Sequence, residues 1–326
     1  MLTLLAVVAL LALACSTDPV VRAAGDHAGS PPPVGTVPRG VVVTPTGVIA
    51  PILARFPGGY WVRTPCYGIA QVHAGHEIDH VDVVLDPGHG GPEKGAVGPT
   101  GLQEREPNFA IATLVQRRLA GGTLGGAGVS VLLDHPDSYF VKLHTRGEIA
   151  VALQPRAFVA IHHNSGGGPP QRGTPSSETF YQYASPASKV LAQYLWNEAV
   201  AALSTYDIEW TGGDEPLDAP GRGPRSRVGE HGDYYGILRY SAGVPAAIIE
   251  ASFTSNPAEE ALQRSAPYRA VEADAISRAI LRFVESGTNV DTPAPPDAPP
   301  TTLSPNGTEA PGIAGDDDPC TDPPLE

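Results

Sequence analysis

Val81-Asp82-Val83-Val84-Leu85-Asp86-Pro87-Gly88-His89-Gly90-Gly91 decides the fold. The apolar first half reads as a buried strand, and the glycines around His89 turn the chain sharply and leave its imidazole uncrowded. Outward from this stretch, strand-like and helix-like segments alternate. Residues 107–119 place Phe109, Leu114, Val115 and Leu119 at helical spacing before Gly121-Gly122. Residues 129–133 and 157–161 are apolar strands, with a helix at 146–153 between them. A strand at 179–183, a long amphipathic helix at 187–203, a buried strand at 245–250 and helices at 257–264 and 268–285 complete the series. This alternation predicts an α/β domain with a mostly parallel or mixed central sheet and helices on both faces. It occupies 81–285 as one catalytic domain. Ahead of it, 41–80 holds short β-branched and aromatic runs punctuated by Gly and Pro, which predicts a small β-hairpin extension. No internal repeat is evident.

Composition narrows the function. The chain has 326 residues, of which 41% are hydrophobic and 17% charged, enough to bury a core. A formal net charge of −14 argues against a nucleic-acid partner, which needs a basic surface. Eight acidic residues and no Lys or Arg lie in 286–326, a Pro-rich stretch that predicts a disordered tail. Three cysteines make neither a disulfide scaffold nor a Cys-rich zinc ribbon. Residues 1–15 read as a signal segment, with Ala12-Leu13-Ala14 as a small-x-small cleavage site. Cys15 then stands where a bacterial lipoprotein is acylated, so a lipid anchor is one expectation. Residues 16–40 read as a linker. Export to the periplasm or cell wall follows, and in an oxidising exterior Cys66 and Cys320 are free to pair; chain spacing leaves that open.

Reactive groups in open α/β sheets gather at the carboxyl ends of strands. Here those ends carry His89, then His162 and His163 in Ile161-His162-His163-Asn164, and Glu250 in Ile248-Ile249-Glu250. Gly101-Leu102-Gln103-Glu104 precedes the first helix and can return a carboxylate to His89; Glu93 and Glu106 compete for that role. Two His and one Glu leave one position of a tetrahedral zinc open, the arrangement that makes water a nucleophile at neutral pH. A further carboxylate must then move protons, and Glu250 is placed for it. His73, His76 and His80 mimic zinc spacing, but their segment is short and polar and reads as a solvated loop.

The quoted motifs resemble a family. Asp86-Pro87-Gly88-His89-Gly90-Gly91, Gly95-Ala96-Val97-Gly98 and Gly101-Leu102-x-Glu104 are similar to the opening of the zinc-dependent N-acetylmuramoyl-L-alanine amidases of the amidase-3 type. Ile161-His162-x-Asn164 resembles their second metal motif. Pro245-Ala246-x-Ile248-x-Glu250-x-x-Phe253-x-Ser255-Asn256-Pro257-x-Glu259 resembles their catalytic-glutamate motif. The likeness runs in order from Val81 to Glu285, and the extension before it resembles single-domain mycobacterial members. It implies one Zn2+ per chain held by His89, Glu104 and His162, with Glu250 as general base and acid. The substrate it implies is peptidoglycan or muropeptide, cut between the lactyl group of N-acetylmuramic acid and L-alanine by a monomer. Two other readings are a catalytically silent wall-binding or activator protein and a zinc peptidase acting within the stem peptide. Three positions depart from or adapt the family pattern. Asp134-His135-Pro136 stands where the family commonly has Thr-Arg, Arg146 fits its later Leu-x-x-Arg position, and His163 replaces a small residue, read here as an exposed non-ligand.

Overall fold

The computed structural model describes residues 30–33, 35–122, 128–212, 223–286, 301–302 and 320–326. The signal segment and Cys15 lie outside the described residues. Among the described residues, no helix is long and apolar enough to cross a membrane.

Five short strands open the described chain: β1 (Val41–Val43), β2 (Ile49–Phe56), β3 (Gly59–Arg63), β4 (Ile69–Val72) and β5 (His76–Ile78). They form one antiparallel sheet in the order β4-β3-β2-β1-β5, where the sequence predicts a hairpin. Strands of three to five residues show too little alternation for each to be recognised from the sequence. Alternation still governs the packing. Val41 joins the core beneath the catalytic sheet, whereas its neighbour Val42 points into a separate small core with Ala50, Ile52, Val62 and Val72.

The catalytic domain follows the predicted alternation. Its first elements are β6 (Val83–Pro87), helix α1 (Arg105–Gly121), β7 (Val131–Leu133), α2 (Leu143–Leu153) and β8 (Ala157–Asn164). A ribbon strand β9 (Gly168–Arg172), then β10 (Glu178–Tyr181) and α3 (Pro186–Leu203), come next. The ribbon's return strand β11 (Glu209–Gly212), the two-residue β12 (Pro224–Arg225), and the hairpin of β13 (Arg227–Gly229) and β14 (Gly232–Asp233) precede α4 (Gly236–Tyr240). The last elements are β15 (Ala246–Phe253), α5 (Pro257–Arg264) and α6 (Ala266–Ser286). Six strands build the central sheet in the order β12-β10-β15-β8-β6-β7. β15, β8, β6 and β7 run parallel, and β10 is antiparallel to β15, so the sheet is mixed. One face packs on α1, α3 and α6 through Ile111, Val115, Leu195 and Ile280; the other packs on α2, α4 and the extension through Ile149, Leu153, Ile237 and Ile49. Burial on both faces explains the near-continuous apolar runs of β6, β8 and β15.

The predicted disordered tail needs one correction. Cys320–Glu326 lies against the extension sheet: Cys320 is disulfide-bonded to Cys66, Leu325 packs on the small core, and the Asp322 carboxylate accepts from the Cys66 backbone N–H at 2.7 Å. Residues 303–319 lie outside the described set.

Candidate active site

β6 delivers Asp86 and Pro87 to the end of the sheet, and the chain then turns through Gly88. A Cβ on Gly88 would come within 2.1 Å of the His162 ring, so the bare backbone is what admits that imidazole. His89 itself adopts φ 70, a left-handed conformation costly for a residue with a side chain. Its carbonyl oxygen is gripped from two sides, by Arg146 Nη2 at 2.7 Å and by His135 Nε2 at 2.8 Å. Arg146 also donates to Asp86 at 2.7 Å and, through Nε, to the Val141 carbonyl at 2.7 Å. His135, at the position that departs from the family pattern, thus braces the His89 backbone beside Arg146. The signal was the polar pair Asp134-His135 placed immediately after an apolar strand.

Glu104 immediately precedes α1 and is buried. Its Oε2 lies 3.0 Å from His89 Nε2 and its Oε1 lies 3.1 Å from His162 Nδ1. Donor atoms from the three residues all fall within 4.8 Å of one another. Gly95 closes the cradle: a Cβ there would meet His89 Cδ2 at 2.5 Å and Glu104 Oε2 at 2.6 Å. Of the two competitors for the third position, Glu93 bonds the far ring nitrogen of His89, Nδ1, and orients the imidazole, while Glu106 accepts from the Gln103 backbone N–H at 3.3 Å.

The electrostatics match the geometry. Burial works to lower the His89 pKa, but Glu104 and then Glu93 push it up to about 10. Burial would raise Glu104, yet the two histidines override it and hold its carboxyl well below the usual carboxylate range. Three converging donors, two imidazoles and one carboxylate held ionised, on a backbone stripped of Cβ atoms at Gly88 and Gly95, fit a zinc ion. The His73, His76 and His80 segment forms no such cluster among the described residues.

Glu250 lies on β15 in direct register with His162 on β8 and, on its other side, with Glu178 on β10. One of its carboxylate oxygens is shielded and without a hydrogen-bond partner. Burial first, then the charges of Glu104 and Glu178, push its pKa well above the carboxylate range. The cleft between Glu250 and His89 is walled mainly by Phe140, Leu143, Tyr235, Ile237 and Ile248. Sequence reasoning did not single out Phe140, Tyr235 or Ile237, because apolar residues in a loop or a five-residue helix carry no signal of their own. His163, read as exposed, is fully buried, because it alternates away from the cleft toward α1 and α6.

Fold and site together define a class: a mixed α/β domain whose strand ends and first helix assemble a two-His, one-Glu candidate metal cradle beside a half-buried carboxyl group, an arrangement suited to amide hydrolysis. Residues 83–282 match the amidase-3 family, N-acetylmuramoyl-L-alanine amidase, and the chain belongs to it. Membership places it among peptidoglycan amidases. It is 29% identical over 214 residues to the uncharacterized protein YqiI of Bacillus subtilis, covering 65% of this chain and 89% of that one. It is 30% identical over 227 residues to the N-acetylmuramoyl-L-alanine amidase AmiC of Neisseria meningitidis, covering 63% of this chain and 53% of that protein. The matched part thus spans about half of AmiC. The solved structure of the amidase Ami1 from Mycobacterium smegmatis shares the fold, with a TM-score of 0.50 at 22% identity over 63% of this chain and 97% of that one.

Proposed function

We propose that this chain hydrolyses the amide between the lactyl group of N-acetylmuramic acid and the L-alanine of the stem peptide. In this reading His89, Glu104 and His162 hold one zinc ion and Glu250 moves the proton. The observation that carries it is the convergence of those three donors within 4.8 Å, with Glu250 in register beside His162. When bound, zinc supplies Lewis acidity toward the amide carbonyl and an acidified water. The chain's own residues do the rest. Arg146 and His135 fix the His89 backbone, and Glu93 fixes its ring, so the imidazole meets the site in one orientation. The apolar walls displace water from around the bond to be cut, which strengthens every charge inside the cleft. The unpartnered oxygen of Glu250 takes a proton from the attacking water and gives it to the departing amine. The family's substrate is in the cell wall, which fits export; a lipid anchor at Cys15 is part of the same proposal.

Mass spectrometry of products from purified peptidoglycan or muramyl dipeptide, with and without a chelator, tests this reading. Muramic acid freed of alanine in a chelator-sensitive reaction is the expected result. Cleavage within the stem peptide would make the chain a peptidase, and no product at all would make it a silent wall-binding protein.

A further inference from the structure

Behind the metal cradle runs a buried polar chain that the proposed reaction does not use. Asn108 on α1 donates through Nδ2 to the Gly88 carbonyl at 3.1 Å and to Glu104 Oε1 at 3.3 Å. Both are acceptors, so the amide can face only one way, and its Oδ1 is turned to His163 Nδ1 at 2.7 Å. That contact requires a hydrogen on Nδ1. The opposite ring nitrogen, Nε2, lies 3.2 and 3.3 Å from the two carboxylate oxygens of Glu272 on α6. The backbone N–H of His163 adds a further bond to Glu104 Oε1 at 3.1 Å. Asn108, His163 and Glu272 are all 0% exposed.

A buried carboxylate facing an imidazole is costly unless the pair is kept together, so its retention in an otherwise apolar layer asks for a reason. Through Asn108 the pair is continued into a longer chain of hydrogen bonds. Its far end reaches Glu104, whose Oε1 and Oε2 must present themselves to both His162 and His89. Groups that hydrogen-bond a metal ligand set its direction and typically contribute 10–100-fold in metal affinity.

We infer that His163 is a positioning residue that locks the Asn108 amide through its Nδ1 and, through that amide, the orientation of the Glu104 carboxylate in the metal cradle. The inference rests on the zinc reading proposed above. Glu272 clamps one edge of the ring from α6, the other edge holds Asn108, and α1 is thereby tied to the strand that carries His162.

Zinc dissociation constants of the full-length, disulfide-intact chain, measured by competition with a chromophoric chelator, test this. Thermal melting of each metal-free protein is measured beside them. In His163→Asn the side-chain amide stands where Nδ1 was and still donates to Asn108. In His163→Gln it reaches toward Glu272 and loses Asn108. His163→Gln and Asn108→Ala should each weaken zinc binding about 10–100-fold, whereas His163→Asn should stay within about threefold of the parent. The double variant Asn108→Ala/His163→Gln should be no weaker than Asn108→Ala alone, because the two act in one line. Additive losses, or equal losses in both His163 variants that follow their melting temperatures, would mean the chain is only structural and would overturn the inference. Should His163→Gln not fold, unchanged zinc affinity in Asn108→Ala is enough to overturn it. The underlying zinc reading fails separately, by the parent protein binding no zinc or by His162→Ala binding it unchanged.

Discussion

Glu250 and His162 are register partners on adjacent parallel strands, so the general-base candidate and a metal-ligand candidate leave the sheet side by side on the same face. On its other flank Glu250 faces Glu178, which is held by Asn164 Nδ2 at 2.8 Å and by Arg225 at 3.2 Å. Two carboxylates directly opposite each other disfavour both being ionised. Glu178 is engaged by an amide and a guanidinium, whereas one oxygen of Glu250 has no partner and its pKa is pushed well above the carboxylate range, by burial first and then by the charges of Glu104 and Glu178. The register with Glu178 thus adds to an effect that burial leads, and the register with His162 sets the carboxyl group beside the metal-ligand candidates.

Replacing Glu250 with Gln keeps the shape and removes the proton acceptor. Turnover should fall about 10²–10⁴-fold, the usual contribution of acid–base catalysis. Zinc content should stay at one per chain, because Glu250 is not among the three converging donors. Metal analysis and steady-state rates on muramyl dipeptide check both halves. Loss of zinc in this variant would make Glu250 a ligand.

Removing a ligand should do the reverse. His162→Ala leaves two of the three converging donors, so zinc affinity should drop by several kcal/mol and activity with it. Dialysis against a chelator should silence the parent protein, and added zinc should restore it. A His162→Ala protein with stoichiometric zinc and full activity would end the assignment.

Much of the site was legible in the sequence because each of its parts ends or follows an apolar run. His162 and Glu250 are the first polar residues of β8 and β15, His89 follows the Asp86-Pro87 end of β6 by two positions, and Glu104 sits at the start of the first helix. Long parallel strands buried on both faces announce themselves. What stayed hidden depends on contacts between segments far apart in the chain. His163 reads as surface because nothing local reveals Glu272, over a hundred positions away, as its partner. Glu93 is the local exception: it reads as a rival of Glu104 for the third ligand position until it is seen on His89 Nδ1, four positions back. Four of the extension's five strands are too short to show a period, and its closure by Leu325 comes from the far end of the chain.

Asp134 gives the fold a pH signature. It is fully buried, with one oxygen lacking a partner, and burial first, then the neighbouring Asp86 charge, raise it to about 6. A carboxyl group raised in the folded state contributes stability that is complete below its ordinary range near pH 3.8 and is lost as pH rises through 6. Asp134→Asn should remove that slope and should be relatively more stable at pH 7 than at pH 4.5, by on the order of 2 kcal/mol. Urea unfolding of parent and variant at both pH values measures it. A parent whose excess destabilisation does not change between pH 4.5 and 7 would show that Asp134 is ionised throughout.

The C-terminal strap should matter for stability and little for chemistry. Its seven described residues close the chain through the Cys66–Cys320 disulfide, across a sequence separation of 254. They also hydrogen-bond the extension through the Pro324 carbonyl, the Asp322 carboxylate and the Glu326 carboxylate, which reaches the His73 and Ala74 backbone. The extension in turn braces α2. Arg63 pairs with Glu148 at 2.9 Å, and the Pro65 carbonyl, next to Cys66, accepts from the Lys142 backbone N–H at 2.9 Å at the start of the helix that carries Arg146. Replacing both cysteines with Ser should therefore cost about 2–5 kcal/mol, in the range of native disulfide removal. Truncation at about residue 288 should destabilise at least as much, since it also exposes the apolar core under Leu325. None of the strap's contacts touches His89, Glu104, His162 or Glu250, so the turnover of molecules still folded at 25 °C should stay within about twofold. Calorimetry with and without reductant, beside rates on a soluble muropeptide, separates the two effects. An unchanged melting temperature in the truncated protein would show that the strap only rests on the sheet. A large loss of turnover at full folding would show that the extension acts on the site through α2.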